Sequence, residues 1–316
     1  MSRDSVKVLA GVDIGTLTLR LLIAKVTAER RLTELCSERR VLRLGEGLER
    51  NRTLLPAAVS RVIETLKDWR TVIETYQVDG EAAVATSAVR DAANRDEFLA
   101  RVKRETGFDV EVISGEEEAR RTMLGIRSGL PAGVTAILGL DIGGGSTEFI
   151  LDRPGCSPVV RSIELGVIRL TERVLVHDPP IPEELRAASD LIKKGTEGAS
   201  AHLGDLKGTT FVGTAGTITT LAAMALRLAT YEGARIHNYR LGIETIRELE
   251  HEILRRTKAQ RKGLPGLEPG REDVIVAGVL LLRGVMECLK ITDCLVSDLG
   301  LREGILIDLA RRITNR

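Results

Sequence analysis

The sequence predicts an α/β protein built from two similar halves, each with a mixed sheet. One pattern occurs twice: an apolar strand ends in an aspartate, a turn of glycine and hydroxyl residues follows, and a second apolar strand begins. The two copies cover residues 8–18 and 137–147, so Asp141 follows Asp13 by 128 residues. In both halves strands and helices then alternate, which is typical of α/β sheets. We interpret this order as a duplication.

Each element of the first half is predicted from its apolar pattern. The helix at 55–76 is indicated by apolar residues near helical spacing, among them Val59, Val62 and Leu66. Short apolar runs bounded by turn residues predict strands. The predicted strands are 6–13, 18–26, 32–44, 81–85 and 109–113, and a second helix is predicted at 95–104.

The second half opens in the same way, with three strands before the helices. Its predicted strands are 136–141, 147–151, 159–165, 209–212 and 294–297, and its predicted helices are 181–202, 217–228, 245–257 and 273–289. Gly129, Pro131 and Gly133 interrupt the helical pattern between the halves. We therefore predict domains at 1–128 and 129–301, with a C-terminal helix within 302–316 packing back on the first domain.

Composition argues against several classes of function. The 316 residues carry 46 basic and 45 acidic side chains, a net charge of +1, so the chain is not a polycation. Four Phe, three Tyr and one Trp leave few rings on which nucleic-acid bases could stack. We therefore expect no nucleic-acid partner.

The chain also lacks patterns typical of secreted or membrane proteins. Its four cysteines form no C-x-x-C pair, and we expect them to be small core residues in a reducing compartment. Residues 1–4 include an acid and do not resemble a signal peptide. The apolar stretch 274–289 contains Arg283 and Glu287, which disfavours a membrane span. A cytoplasmic location without membrane partners is the expectation.

The paired turns predict an anion site. Glycine lets the backbone approach a ligand closely, and successive N–H groups in such a turn form a concave anion site. The neighbouring aspartates would repel phosphate unless a divalent cation lay between them. We therefore expect two half-sites across a cleft that hold a metal ion and a phosphate chain. The alternative is a pair of hairpin turns whose aspartates cap nearby backbone, but this does not require Asp at the same strand position twice.

The second turn adds another carboxylate. Asp141 ends one predicted strand and Glu148 starts the next, so both can face one cation, and oxygen ligands suit Mg²⁺. The alternative for Glu148 is an ordinary strand residue that faces solvent.

A third acidic group lies at a strand-to-helix junction, residues 112–119. Ser114 is a natural N-cap and Glu117 the N3 residue of a capping box, while Glu116 favours the helix dipole. Glu118 has no capping role and could accept a proton from water. From spacing alone, a solvated acidic turn is the better interpretation.

Two further junctions and two basic clusters keep both a functional and a structural interpretation. Arg90 follows a buried strand and either clamps a phosphate or pairs with Asp91. Residues 211–217 either bind an anion at a helix N-terminus or pack helix on strand, and the packing interpretation is favoured. The basic residues within 39–43 and 255–262 either form solvated faces or guide a polyanion.

Taken together, these motifs resemble one enzyme family over nearly the whole chain. The resemblance rests on residues 13–15, 43–47, 85–90, 114–119, 141–148, 213–217 and 300–304. They resemble the exopolyphosphatase and guanosine pentaphosphate phosphohydrolase family of the actin-like ATPase superfamily. The resemblance implies two actin-like (ribonuclease H-like) domains with mixed sheets and an interdomain cleft.

The resemblance also implies roles for individual residues. It makes Glu118 the base that activates water, and Asp141, Glu148 and Asp13 the acids that hold Mg²⁺ or Mn²⁺. The implied phosphate contacts are Gly15, Thr16, Thr18, Arg20, Arg90, Gly143, Gly144, Gly145, Ser146, Thr147, Gly213 and Thr214. The implied reaction is hydrolytic release of the terminal phosphate of inorganic polyphosphate, in a cytoplasmic enzyme that can form a homodimer.

Three alternatives stay open: hydrolysis of guanosine pentaphosphate to tetraphosphate, an actin-like ATPase or sugar kinase, and a non-catalytic alarmone or polyphosphate sensor. The chain departs from the family pattern at Leu17, where an Asn is usual, so we expect weaker binding by the first phosphate loop. It also resembles the short form without a C-terminal HD-type helical domain, which we expect to limit grip on long polymers or to favour short ones.

Overall fold

The computed structural model describes residues 6–314. It contains two compact units: the first comprises residues up to Gly129 together with those from Leu299 onward, and the second is Leu130–Asp298. The α/β class with two mixed sheets is confirmed. The domain limits given above remain a prediction. Residues 1–4, on which the signal-peptide expectation rests, and the last two residues of the predicted segment 302–316 lie outside the described range.

The strands and helices are numbered in chain order. Up to Gly129 they are β1 (Lys7–Ile14), β2 (Thr18–Val26), β3 (Leu32–Val41), α1 (Leu48–Asn51), α2 (Pro56–Thr75), β4 (Gly80–Ala85), α3 (Ser87–Asp91), α4 (Arg95–Thr106), β5 (Val110–Val112) and α5 (Gly115–Gly129). The second unit contains β6 (Ile137–Ile142), β7 (Thr147–Asp152), β8 (Val159–Ile163), α6 (Val167–Arg173), α7 (Pro182–Ser200), β9 (Thr210–Thr214), α8 (Ala215–Ala225), α9 (Gly233–Ile236), β10 (Arg240–Gly242), α10 (Ile243–Leu254), α11 (Lys258–Arg261), α12 (Val274–Cys288) and β11 (Asp293–Val296). Helix α13 (Leu301–Thr314) belongs to the first unit.

The two sheets share a five-strand topology, to which the second adds the edge strand β10. The first has the order β3-β2-β1-β4-β5 and the second the order β10-β11-β9-β6-β7-β8. In each, three antiparallel strands are joined by short turns, and the first of them pairs in parallel with a later strand: β1 with β4, and β6 with β9. The parallel strands require helical crossovers, which supply the apolar cover for the sheet.

The central strand of the first sheet is buried on both faces because helices cover both. Successive side chains of β1 point to opposite faces. Val12 belongs to the cluster that contains Trp69 of α2, while Leu9 belongs to a cluster with Leu306 of α13. Covered on both sides, β1 is apolar almost throughout instead of alternating with polar residues.

Helices α5 and α13 touch through their backbones. A Cβ atom at Gly125 would lie 1.9 Å from the carbonyl oxygen of Gly300, and one at Gly304 would lie 1.8 Å from that of Arg121. No side chain larger than hydrogen fits at either position. The glycines of the 300–304 motif thus set the distance between these helices.

Several sequence-based expectations need correction. Only Cys294 is a buried core residue, whereas Cys156 is exposed and the other two cysteines are half-buried. Arg261, placed in a basic cluster above, is 1% exposed: its guanidinium donates to the carbonyl oxygens of Ile253 and Glu272 and pairs with Asp178. That cluster is therefore partly structural. No helix within residues 6–314 has both the length and the apolar character needed to cross a membrane.

Candidate functional site

The first turn, between β1 and β2, is closed by a backbone hydrogen bond. The Gly15 N–H donates to the Thr18 carbonyl oxygen at 3.1 Å, and a Cβ at Gly15 would lie only 2.7 Å from that oxygen. Only glycine fits this position. The sequence predicted a close-approach glycine here, and the geometry supplies the reason.

The carbonyl groups of this turn face the segment after β3. The Thr16 carbonyl accepts from the Gly45 N–H at 2.9 Å, and the Leu17 carbonyl accepts from the N–H groups of Leu42 and Arg43. In a trans peptide the C=O and the next N–H point in opposite directions. The N–H groups of Leu17 and Thr18 are therefore directed away from this segment. The Leu17 side chain is buried, so it acts in packing, where an asparagine would offer an amide.

The second turn, between β6 and β7, repeats this arrangement. The Gly143 N–H donates to the Ser146 carbonyl at 3.0 Å. The carbonyls of Gly143 and Gly144 accept from Val167 and Ile168 at the start of α6, at 3.0 and 2.8 Å. By the same peptide geometry, the N–H groups of Gly144 and Gly145 point together to the opposite side, which is the arrangement of an anion-binding nest.

The acids next to the turns have different neighbours in the two sheets. In the first sheet Asp13 is the Cα partner of Arg20, which in turn is the partner of Arg39 on β3. In the second sheet Asp141 is the partner of Glu148, which is the partner of Ser162 on β8. Partners in an antiparallel pair project from the same face. The first row thus carries two cations and one anion, and the second row two anions.

The second row suits a divalent cation. Asp141 and Glu148 are 7% and 1% exposed, and like charges directly opposite each other in a sheet are destabilising without a counter-charge. Ser162 Oγ donates to Glu148 Oε1 at 2.8 Å, which orients this carboxylate. Within residues 6–314 no group of three acidic, histidine or cysteine side chains forms a ready metal cage. Mg²⁺, however, is commonly held by one or two carboxylates together with water and substrate phosphates.

Glu118 lies in the first turn of α5, where the Ser114 cap holds the helix start. Ser114 Oγ accepts from the Glu117 N–H at 3.1 Å, and the Ser114 carbonyl accepts from the Glu118 N–H at 2.9 Å. The predicted capping box is only half right, because the Glu117 carboxylate accepts from Arg120 and Arg121 instead. These arginines lower the pKa of Glu117 to about 2, chiefly through the Arg120 hydrogen bonds.

The Glu118 side chain contacts Arg90. Arg90 Nη1 lies 3.4 Å from Glu118 Oε2 and donates to the Ile113 carbonyl at 3.0 Å. Glu118 is 8% exposed, so the interpretation of a solvated acid does not describe it. The local pairing considered for Arg90 also exists, with 3.8 Å between Arg90 Nε and Asp91 Oδ1. The structure therefore brings together Glu118 and Arg90, which the sequence treated separately.

Helix α3, which carries Arg90, is tied to the first turn. The Thr86 N–H donates to the Ile14 carbonyl at 3.3 Å, and the Ala88 N–H donates to Thr16 Oγ1 at 3.2 Å. A Cβ at Gly45 would lie 2.3 Å from the Thr16 methyl group. The Thr16 side chain thus connects α3, the turn and the 43–47 motif.

The β9–α8 junction combines packing with an unusual backbone. A Cβ at Gly213 would lie 2.6 Å from Cys294 Sγ, which explains this glycine by packing. Thr214 is the Cα partner of Asp141, and Ala215 has a φ of 70°. Such a conformation is strained for a residue with a Cβ and occurs often at functional sites. The sequence analysis did not single out Arg271, whose guanidinium packs so closely on Gly216 that a Cβ there would lie 2.3 Å from Arg271 Nη2.

Two predicted phosphate contacts are deeply buried. Ser146 is 2% exposed, and Thr147 donates its hydroxyl proton to the Leu165 carbonyl at 2.6 Å.

The second unit also has a cavity of about 500 Å³, lined by residues that include Lys207, Thr210 and Asp293. It lies where β9 and β11 begin, whereas Thr214 and the glycine turn lie where β9 and β6 end. This cavity is therefore separate from the predicted site residues of the second unit.

Comparison with known proteins places this geometry in a family. The sequence model of the Ppx/GppA phosphatase family matches residues 22–313. Exopolyphosphatase 2 of Mycobacterium tuberculosis is 35% identical over 95% of this chain and 98% of its own length. Exopolyphosphatase 1 of Mycobacterium leprae is 30% identical over 94% of this chain and 87% of its own.

Solved structures agree. An exopolyphosphatase-like protein superposes with a TM-score of 0.92 at 32% identity, covering 98% of this chain and 99% of that one. The Ppx/GppA family member of Aquifex aeolicus has a TM-score of 0.81 at 31% identity, with the same coverage. The two-domain actin-like architecture implied by the resemblance is thereby confirmed. With the paired turns and two similar sheets, these matches show that the chain belongs to the Ppx/GppA phosphatase family.

Proposed function

We propose that this protein is an exopolyphosphatase that releases the terminal phosphate of inorganic polyphosphate by metal-dependent hydrolysis. The observation that carries the proposal is the buried Glu118 carboxylate beside Arg90, which combines a proton acceptor with a phosphate-binding cation. The names of the mycobacterial relatives support polyphosphate as the substrate.

Glu118 acts as the general base. A water molecule attacks the terminal phosphorus while Glu118 takes its proton, and the bridging P–O bond breaks. The products are orthophosphate and a separate polyphosphate that is one phosphate shorter. Arg90 suits a phosphate because a guanidinium donates two parallel hydrogen bonds to phosphate oxygens. The N–H groups of Gly144 and Gly145 in the second unit are proposed as further phosphate-binding donors.

The proposed metal is Mg²⁺ or Mn²⁺, held by Asp141 and Glu148, with Asp13 as a further proposed acid. The donor set fits, because both second-sheet ligands are carboxylates on one face of the sheet. Such an ion polarises phosphoryl oxygens and neutralises charge on the phosphate chain. Asp13 stands opposite Arg20, whose positive charge disfavours a cation, so we expect Asp13 to contribute less to metal binding than Asp141 and Glu148.

The substrate test measures phosphate release from short polyphosphate, long polyphosphate, guanosine pentaphosphate and ATP, each with Mg²⁺. We expect the highest kcat/KM for polyphosphate. A preference for guanosine pentaphosphate would replace the proposed substrate, and turnover of ATP alone would indicate an ATPase or kinase. Binding without turnover of any compound would support a sensor and overturn the proposal.

The base is tested by Glu118→Gln, which keeps the shape of the side chain and removes its basicity. Release is expected to fall by about 10²–10⁴-fold, while polyphosphate binding persists. Glu116→Gln is the matched control, because Glu116 lies in the same turn but is exposed. Equal rates for Glu118→Gln and the control would remove Glu118 from the mechanism.

A cytoplasmic location and a homodimer remain predictions.

A further inference from the structure

We propose that Asp308 on helix α13 is a positioning residue for Glu118, so that α13 takes part in catalysis through α5. This inference rests on the proposed function, in which Glu118 is the base. It is carried by an ionic network and by backbone contacts, both within the first unit.

The network joins the two helices by short contacts. Arg120 Nη2 donates to Asp308 Oδ1 at 2.6 Å, and Arg120 also holds both carboxylate oxygens of Glu117 at 2.7 Å. Arg121 donates to Glu117 at 2.6 Å and lies 3.6 Å from Asp308. Arg312 reaches Asp308 at 2.6 Å. Asp308 thus forms ion pairs with arginines of both helices.

Burial makes this network a firm link. The Arg121 and Asp308 side chains form its buried pair, with 2% and 9% exposure, whereas Arg120 is 40% exposed. Removing one partner from such a pair leaves an uncompensated buried charge, which costs far more than the loss of a surface ion pair. The arginines offset the desolvation of Asp308 and lower the pKa of its carboxyl group, so it remains charged.

The glycine contacts allow little sliding. Gly125 of α5 contacts Gly300, just before α13, and Gly304 of α13 contacts the backbone of α5, in both cases without room for a Cβ. No flexible side chains separate the two backbones there, so α5 cannot slide along α13. What remains free is a rotation of the α5 start about its own axis. Glu117 opposes that rotation, since its carboxylate is held by the arginines that contact α13.

The same rotation would move Glu118. Adjacent residues on a helix are about 100° apart around its axis, so Glu117 and Glu118 turn together. With Glu117 held on the α13 side, Glu118 is directed at Arg90, 3.4 Å away. Loosening Asp308 therefore changes the direction of the proposed base, and an error of about 1 Å can cost about 10²-fold in rate.

The test compares Asp308→Asn, Asp308→Glu and a control. In Asp308→Asn we expect kcat for polyphosphate to fall by about 10-fold or more, with KM changed less than about 3-fold, per folded molecule. Asp308→Glu keeps the charge and should recover part of kcat. Glu105→Gln, on α4 of the same unit, removes a more exposed carboxylate that contacts Lys67 and Arg101, and it should leave kcat unchanged.

If Asp308 had only a structural role, Asp308→Asn would lower the folded fraction of the protein but leave kcat per folded molecule unchanged. Wild-type kcat in Asp308→Asn, or an equal fall in Glu105→Gln, would overturn the inference. If Asp308→Asn does not fold, Arg120→Gln tests the same contact from α5 and should show the same split. These outcomes are distinct from failure of the proposed function, which would appear as no release by the unaltered protein or no effect of Glu118→Gln.

Discussion

Asp141 and Glu148 stand directly opposite each other on β6 and β7, at the positions that Asp13 and Arg20 occupy on β1 and β2. One duplicated hairpin thus pairs acid with acid, and the other pairs acid with base. The divergence gives the two hairpins different chemistry: the second favours a cation, while Arg20 beside Asp13 favours an anion.

This difference predicts how Mg²⁺ affects stability. A ligand that binds only the folded state adds about 2.7 kcal/mol to the free energy of unfolding at 100 times its Kd. We expect that gain for the unaltered protein and less than about 1 kcal/mol for Glu148→Gln. Urea unfolding with chelator and with Mg²⁺ measures both values. Glu164→Gln, an exposed residue on the same unit, is the control and should keep the full gain.

Arg90 is expected to be sensitive to conservative replacement. Lysine keeps the charge but lacks the planar guanidinium group, whose Nη1 contacts both Ile113 and Glu118 and whose paired N–H groups match a phosphate. Arg90→Lys should lower kcat/KM for polyphosphate by about 10–100-fold. Steady-state phosphate release checks this, with Arg95→Lys as an exposed control on α4. Wild-type kinetics in Arg90→Lys would assign Arg90 to surface pairing with Asp91.

Glu117 predicts a pH dependence of stability. Its pKa falls from an ordinary value of 4.5 to about 2 in the folded protein, so its contribution is fully present above pH 4.5 and is lost as pH falls toward 2. Glu117→Gln should lower the free energy of unfolding at pH 7 by about 1–3 kcal/mol. The difference from the unaltered protein should shrink below pH 4.5. A constant difference across this range in denaturant titrations would contradict the assignment.

Ala215 predicts a stabilising substitution. Its φ of 70° is a left-handed conformation, which costs a residue with a Cβ about 1 kcal/mol but does not strain glycine. Ala215→Gly should therefore raise the free energy of unfolding by about 0.5 kcal/mol, after the extra unfolded-state entropy of glycine is subtracted. Ala187→Gly, at an exposed position inside α7, should instead lower it by about 0.5–1 kcal/mol. Urea unfolding of both variants decides the matter.

Much of the fold was predictable because apolar runs and turn residues mark its strands. The predicted strand 81–85 is observed as β4, Gly80–Ala85, and the helix predicted at 55–76 is α2, Pro56–Thr75. Short helices were missed: α3 and α6 have five and seven residues, too few for a helical period to appear.

The site was predictable where it depends on local spacing. The register of Asp141 with Glu148 follows from their separation around a tight turn. The Arg90–Glu118 contact does not, because it depends on β4 pairing with β5 and on the elements that follow these strands. Burial of Arg261 was equally hidden, since a run of basic residues has the same appearance whether it is solvated or packed.

The return of α13 to the first unit has a consequence for synthesis. Leu9, Leu22 and Ala24 pack with Leu306, which is translated only after roughly 170 residues of the second unit. At about 5–20 residues per second, that apolar surface waits about 10–30 s for its cover. Until α13 has been synthesised, the apolar side chains that it covers stay exposed in the nascent chain, and the proposed positioning of Glu118 by Asp308 cannot form.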